Sequence, residues 1–208
     1  MLIWTRQLGQ ETEGNKMKRQ VVKLPVQLAT MESFAPYGRV IDPERDRLTA
    51  TEILGSSAVG FRYYPQGKDR TLNLKGEKFV WSLLEVYSRP CWVKDSMEFH
   101  RSHEVLTFFN RVVFVAGPKA PKSGKFEDLP TDGWAAFVVG KGCSVVLNPR
   151  TLHTLPFPWS NRKVSVMVML PFEGHKNDCQ FVNFPEGFVL RPKMPTFFSG
   201  KTRFVRVV

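Results

Sequence analysis

Two short segments of the chain concentrate side chains that can transfer protons or bind metal ions. The first segment, residues 97–109 (MEFHRSHEVLTFF), contains five of them: Glu98, His100, Arg101, His103 and Glu104. The second segment, residues 148–153 (NPRTLH), contains Arg150 and His153. Imidazole titrates near neutral pH, and the planar fork of a guanidinium matches the geometry of a carboxylate. We therefore expect the two segments to share one site.

The spacing of the histidines bears on metal binding, because alternate side chains of a strand face the same side. In a regular strand one face would carry Glu98, His100, Ser102 and Glu104, and the other Phe99, Arg101, His103 and Val105. A bulge or bend would bring both His100 and His103 inward. With His153 they would then form a three-imidazole set suited to zinc, iron or manganese. The alternative is that these histidines only make polar contacts at the mouth of the fold.

The elements around these segments are predicted to be mostly strands. The candidate strands are 21–28, 59–64, 80–86, 105–116, 134–139, 144–147, 164–170 and 180–184. Short strands at even spacing, separated by turns rich in Pro and Gly, are typical of a β-sandwich or barrel. Thr30 is expected to cap a short helix over 31–38, and the ranges 39–50 and 66–78 are predicted to be loops. We predict an all-β fold with a short N-terminal helix and the two segments facing each other across a small barrel.

The length and composition fit one globular domain. The chain has 208 residues, 42% of them hydrophobic, with 17 Phe and 5 Trp, enough to build a sizeable core. We expect a flexible extension over residues 1–17, the folded domain over 18–190 and a basic arm over 191–208.

The charge and the cysteines bear on partners and compartment. The net charge of +11 comes from scattered lysines and arginines without a long basic run, so a basic surface is favoured over a nucleic-acid interface. Cys91, Cys143 and Cys179 are odd in number and far apart, which argues against a disulfide framework and favours a reducing compartment. No apolar run is long enough for a membrane helix, and the first residues lack the pattern of a secretory signal. We expect a cytoplasmic protein.

Four pieces of the sequence carry a family resemblance. They are KLPVQLATMESFAPYGRVI (23–41), the first segment, GKGCSVVLNPRTLHTLPFPW (140–159) and NDCQ (177–180). Together they span roughly residues 18–185, and the chain resembles the ureidoglycolate lyases, long called ureidoglycolate hydrolases. Members of that family are cupin-fold enzymes of allantoin catabolism. The resemblance implies a cupin-type antiparallel β-barrel (a jelly roll) and a homodimer.

The reaction that the resemblance implies is cleavage of ureidoglycolate to glyoxylate and urea. It requires a cation for the substrate carboxylate, a base for the carbinol hydroxyl and an acid for the departing urea nitrogen. The candidates for substrate binding are Arg101, Arg150 and His100. The candidate bases are His153 and His103, and Glu104 or the remaining histidine is the candidate acid.

Two alternatives to this reaction stay open. One is a metal-dependent cupin enzyme that acts on another small carboxylic acid and holds one divalent ion. The other is a cupin-shaped binding protein without catalysis, because the Glu-Arg-His-Pro segment of the family reads His100-Arg101-Ser102-His103 here.

Overall fold

A computed structural model describes residues 20–49, 54–56, 61–63, 78–160 and 163–194. The predicted extension over 1–17 lies outside the described residues. So do almost all of the predicted loop over 66–78, most of the basic arm and parts of the candidate strand over 59–64. Within the described ranges, no helix is both long and apolar enough to cross a membrane.

The described residues form fifteen strands and a few short helices. The strands are β1 (Gln20–Leu28), β2 (Gly38–Ile41), β3 (Leu54–Ser56), β4 (Phe61–Tyr63), β5 (Phe79–Tyr87), β6 (Ser96–Phe99), β7 (Glu104–Phe108), β8 (Val112–Lys119), β9 (Ala135–Val139), β10 (Ser144–Leu147), β11 (Thr151–His153), β12 (Phe157–Pro158), β13 (Lys163–Pro171), β14 (Gln180–Asn183) and β15 (Phe188–Lys193). The helices are α1 (Met31–Phe34), α2 (Pro43–Thr49), a 3-10 turn (Phe126–Asp128) and α3 (Gly174–Asn177).

Two large sheets make up the fold. A five-stranded sheet has the order β2-β10-β7-β13-β5, and an eight-stranded sheet has the order β14-β6-β11-β8-β9-β1-β15, with β12 added beside β8. The predicted all-β, cupin-type barrel with a short N-terminal helix is confirmed. Its antiparallel character has one exception among the described strands, since β1 runs parallel to both β9 and β15.

The main core lies between the two sheets. Phe108 of β7 faces Phe114 of β8 with ring centroids 6.0 Å apart, and Phe34 of α1 packs on Phe137 at 5.0 Å. A second apolar cluster covers the other face of the eight-stranded sheet, where Met97 and Phe99 are almost fully buried. Because both faces of that sheet are covered, β8 reads as a continuous apolar run instead of alternating.

The N-terminal helix is capped as predicted. The Thr30 side chain accepts a hydrogen bond from the backbone N–H of Ser33, and the Ser33 hydroxyl accepts one from the backbone N–H of Thr30. This capping box satisfies two donors that the first helical turn leaves open. Beyond the helix, Gly38 pairs with Leu147, and a Cβ at Gly38 would stand 1.9 Å from the Val146 carbonyl oxygen. Only glycine lets β2 approach β10 this closely.

The predicted loop over 39–50 is wrong. Most of it forms β2 and α2, and Asp42 between them accepts hydrogen bonds from the backbone N–H groups of Glu44 and Arg45. Pro43 occupies the first helical position, where its missing N–H costs nothing. The high density of charge in this range, which favoured a loop, is the acidic first turn of a helix instead. The candidate strand over 105–116 is likewise two strands, β7 and β8, with a turn between them.

Candidate functional site

The two predicted segments are the places where the chain crosses from one sheet to the other. Residues 100–103 connect β6 of the eight-stranded sheet to β7 of the five-stranded sheet, and 148–150 lead from β10 back to β11. The backbone N–H of Arg150 donates to the carbonyl oxygen of His100 at 2.6 Å. The predicted meeting of the two segments is therefore confirmed.

Asp178, directly after α3, fixes the first crossing. Its carboxylate accepts hydrogen bonds from the backbone N–H of Arg101 (2.7 Å), from the backbone N–H of Ser102 (3.0 Å) and from the Ser102 hydroxyl (2.5 Å). The bend that results replaces the regular strand considered above. It leaves His100 and Glu104 on the same side, at opposite ends of the crossing.

The second crossing is a tight turn. The backbone N–H of Thr151 donates to the carbonyl oxygen of Asn148 at 3.1 Å, and Arg150 between them has a left-handed φ of 69°. Its guanidinium donates to the carbonyl oxygens of Ala120 (2.7 Å from Nη2) and Pro121, which anchors the turn to a neighbouring loop. The structure thus gives Arg150 a structural contact and does not bring its side chain to the site, unlike the predicted carboxylate clamp.

Four side chains make the centre of the site. His153 Nε2 lies 2.8 Å from Glu104 Oε2 and 3.6 Å from Glu98 Oε1. His100 Nε2 lies 3.8 Å from the same Glu104 oxygen. His100, Glu104 and His153 are buried, whereas the side chain of Glu98 keeps 20% of its surface exposed. Glu98 is consequently the acid that reaches solvent.

Several polar atoms of this centre have no aligned hydrogen bond. They are His100 Nδ1, His153 Nε2 and Glu104 Oε2. His153 Nε2 and Glu104 Oε2 nevertheless lie 2.8 Å apart, so each is the electrostatic partner of the other. Buried polar atoms without partners cost free energy, and proteins retain them mostly where they serve a ligand or a reaction.

The acids control the charge of His153. Burial by itself lowers the pKa of this imidazole, but the neighbouring Glu104 and, more weakly, Glu98 outweigh burial and raise the pKa to about 9. Burial raises the pKa of Glu104, yet the adjacent His153 outweighs it, so the net shift of that pKa is downward. Near neutral pH the pair is an imidazolium beside a carboxylate.

The donor atoms also fit a metal ion. Within the described ranges, one group of donors within 4.8 Å of one another comprises His100, Glu104 and His153, and a second comprises Glu98, His100 and Cys179. Two imidazoles with a carboxylate suit zinc, iron or manganese. The predicted ligands His100 and His153 thus come together, with Glu104 as the third.

His103 and Arg101 lie apart from this centre. His103 belongs to neither group, and its Nδ1 is 3.0 Å from the carbonyl oxygen of Leu147. The side chain of Arg101 is exposed, and with the Gln180 amide oxygen turned toward it, its Nε donates at 3.0 Å. The predicted role of Arg101 in substrate binding stays a prediction.

Sequence reasoning gave too little weight to two residues. Glu98 has no predicted role, although it shares the predicted strand face with His100 and Glu104. Cys179 enters the sequence analysis only as an argument against a disulfide framework, yet its thiol contacts Glu98 Oε2 at 3.6 Å, and burial followed by the charge of Glu98 raises its pKa to about 12. It is therefore a neutral donor to that carboxylate and not a nucleophile.

A groove leads from solvent to this centre. Its volume is about 440 Å³, and Glu98 and His153 line its inner end. Arg89 and Thr154 are further polar residues of its wall. A ligand in this groove would contact the exposed side of the histidine–carboxylate cluster.

The fold and site define a class: a cupin-type β-barrel with a buried imidazole–carboxylate centre. No family model and no curated protein matches the chain. Among solved structures it is similar to a dTDP-4-dehydrorhamnose 3,5-epimerase from Bacillus anthracis with TDP and PPi bound, at 10% identity and a TM-score of 0.36 over 72% of this chain and 74% of that one. It is also similar to a dTDP-6-deoxy-D-glucose-3,5-epimerase from Legionella pneumophila in complex with dTDP-4-keto-L-rhamnose, at 11% identity and a TM-score of 0.31 over 66% of each chain.

Proposed function

We propose that the protein is a cupin-type enzyme that transfers protons on a small carboxylate substrate at His153. The observation that carries this proposal is the contact of the buried His153 with Glu104 at 2.8 Å, with a second acid, Glu98, at 3.6 Å. Paired groups that hold one proton donor and one proton acceptor side by side suit general acid–base catalysis. Glu98 and His153 both line the groove, so a substrate there can touch both.

The specific reaction is the cleavage of ureidoglycolate to glyoxylate and urea, which the family resemblance over residues 18–185 supports. As the carbinol C=O forms, Glu98 takes the hydroxyl proton and the electron pair of the C–N bond moves to the urea nitrogen. His153 protonates that nitrogen, since its raised pKa keeps it charged near neutral pH. Glu104 holds the imidazole in place and stabilises its charge. This reverses the predicted role of His153 as a base.

The test is an assay of purified protein with ureidoglycolate. Glyoxylate is trapped as its phenylhydrazone, urea is measured in parallel, and a protein-free blank corrects for spontaneous decay. We expect equal amounts of both products, a loss of about a hundredfold or more in His153→Gln and Glu98→Gln, and no loss in the exposed control Glu127→Gln. Absence of glyoxylate above the blank, with or without added divalent metal, would remove ureidoglycolate as the substrate.

A second candidate function is that of a metal-dependent cupin enzyme on another small carboxylic acid. It is favoured by the donors of His100, Glu104 and His153, which lie within 4.8 Å of one another. In addition, the buried His100 Nδ1 has no hydrogen-bond partner in the described part of the chain. A divalent ion held by these residues would polarise a substrate oxygen as a Lewis acid. In that case Glu98 would remain the proton acceptor at the groove. The homodimer and the cytoplasmic location stay predictions.

A further inference from the structure

Large apolar side chains surround the groove that leads to His153. Trp92, Leu155 and Phe181 all line it and keep 45%, 44% and 55% of their surface exposed. Exposed apolar side chains that cluster beside a polar centre mark binding sites more often than single scattered ones do. A small polar acid such as ureidoglycolate has no group to place against them.

The inner end of the groove has polar groups without partners. The hydroxyl of Thr154 is buried and has no hydrogen-bond partner in the described part of the chain. Beside it, His153 Nε2 lies near the carboxylates of Glu104 and Glu98 only. Thr154 and His153 line the groove together with Glu98. Apolar walls with a few unsatisfied polar groups are the usual composition of a small-molecule site.

Two positive charges line the same groove: Lys94, which lies 3.9 Å from the carboxylate of Asp95, and Arg89. The guanidinium of Arg89 is 4.3 Å from the ring centroid of Phe157 and donates to the carbonyl oxygens of Leu155 (2.7 Å) and Pro156 (3.0 Å). It forms no ion pair with any acid of the described residues. Since it is half-buried, an anionic ligand group would supply the missing counter-charge.

We propose that the groove binds an organic carboxylate with an aromatic or similarly flat apolar body. The body packs against Trp92 and Phe181, the carboxylate lies toward Arg89, and the reacting end meets Glu98 and His153. The volume of about 440 Å³ is in the range that encloses ligands of this size. This assignment names the substrate class for the case in which the proposed enzyme acts on a carboxylic acid other than ureidoglycolate. It rests on the lining of the groove and on the position of Glu98 and His153 within it.

The test is calorimetric binding of 1-naphthoate to the full-length protein, with 1-naphthalenemethanol as the uncharged probe of similar shape. Trp92→Ala and Phe181→Ala are each expected to weaken naphthoate binding about tenfold, because each removes one aromatic wall. The matched controls Trp81→Ala and Phe172→Ala remove aromatic rings that are 58% and 64% exposed and do not line the groove. They should bind naphthoate like the unmodified protein, and the alcohol should bind at least several-fold more weakly.

Three results would overturn the assignment: no binding of naphthoate, equal losses in groove and control variants, or equal binding of acid and alcohol. The inactive variant His153→Gln separates this question from catalysis. It should keep naphthoate binding within about threefold, since the apolar walls remain. A negative ureidoglycolate assay together with groove-dependent naphthoate binding would therefore reject only the ureidoglycolate reaction.

Discussion

His153 Nε2 lies 2.8 Å from Glu104 Oε2, although His153 ends a strand of the eight-stranded sheet and Glu104 begins a strand of the five-stranded sheet. The contact joins the two sheets at one end of the core. It places an imidazolium and a carboxylate where both are shielded from water, with His100 3.8 Å from the same oxygen. Removing either partner leaves the other charge buried without its counter-charge. The pair proposed to transfer protons therefore also contributes to the free energy of unfolding.

The coupling can be measured with a double-mutant cycle. Glu104→Gln and His153→Gln are each expected to lower the free energy of unfolding by roughly 3–5 kcal/mol, because each leaves a buried charge without its partner. The double variant should cost at least about 1 kcal/mol less than the sum. Urea denaturation measures all three, with Glu127→Gln as the exposed control. Additive losses would show that the two groups do not interact in solution.

Stability should also depend on pH through His153. Its pKa rises from 6.5 to about 9 on folding, because the adjacent carboxylates outweigh burial. Because the folded protein binds this proton more tightly than the unfolded chain does, the charged His153 stabilises the fold. The stabilisation is complete below about pH 6.5 and is lost as the pH rises through about 9. In chelator-treated protein, the free energy of unfolding should therefore fall between these values. Glu104, with its lowered pKa, adds stability above its unfolded pKa of 4.5 that is lost on acidification.

The variant His153→Gln tests the alkaline part of this dependence. It should show a flatter profile between about pH 6.5 and 9 than the unmodified protein, whatever its absolute stability. Denaturation curves at five or six pH values suffice. An unchanged alkaline slope in the variant would assign the titration to another group.

Asp178 should hold the first crossing in place. Asp178→Asn loses the charge on an acceptor of three hydrogen bonds, two of them from the backbone of Arg101 and Ser102. We expect a loss of about 1–3 kcal/mol in unfolding free energy and faster hydrogen exchange at those two amides. The exposed control Asp132→Asn should change neither. Unchanged exchange in Asp178→Asn would mean that the crossing keeps its shape without this carboxylate.

Metal content distinguishes the predicted three-imidazole ligand set from the donor group His100, Glu104 and His153. After dialysis against zinc, iron(II) or manganese, the protein should hold about one ion per chain if this centre is a metal site. His100→Gln and Glu104→Gln should lose the ion, whereas His103→Gln should keep it, because His103 belongs to neither donor group. Elemental analysis gives the readout. Loss of the ion in His103→Gln would restore the three-imidazole set, and an empty unmodified protein would exclude the metal candidate.

Local patterns were enough to predict many elements. The β-branched and aromatic runs between turn residues marked most strands, and Thr30 marked the helix start. Local patterns gave the wrong prediction over 39–50. The many charged residues there favoured a loop, whereas Asp42 and Pro43 begin a second helix. Capping residues outweigh charge density there, because they satisfy backbone N–H groups directly.

The sequence by itself determined the chemical types and the two segments that carry them, since histidines, acids and arginines in a short polar stretch between strands are visible without a structure. Only the tertiary structure decided which of them meet. The Asp178 contacts bend the chain after His100, which brings Glu104 to His153 and leaves His103 outside. The guanidinium of Arg150 donates its hydrogen bonds to the carbonyl oxygens of Ala120 and Pro121 and does not reach the site. The half-buried Arg89 lines the groove instead. Such choices depend on contacts between residues far apart in the chain, and local periodicity carries no information about them.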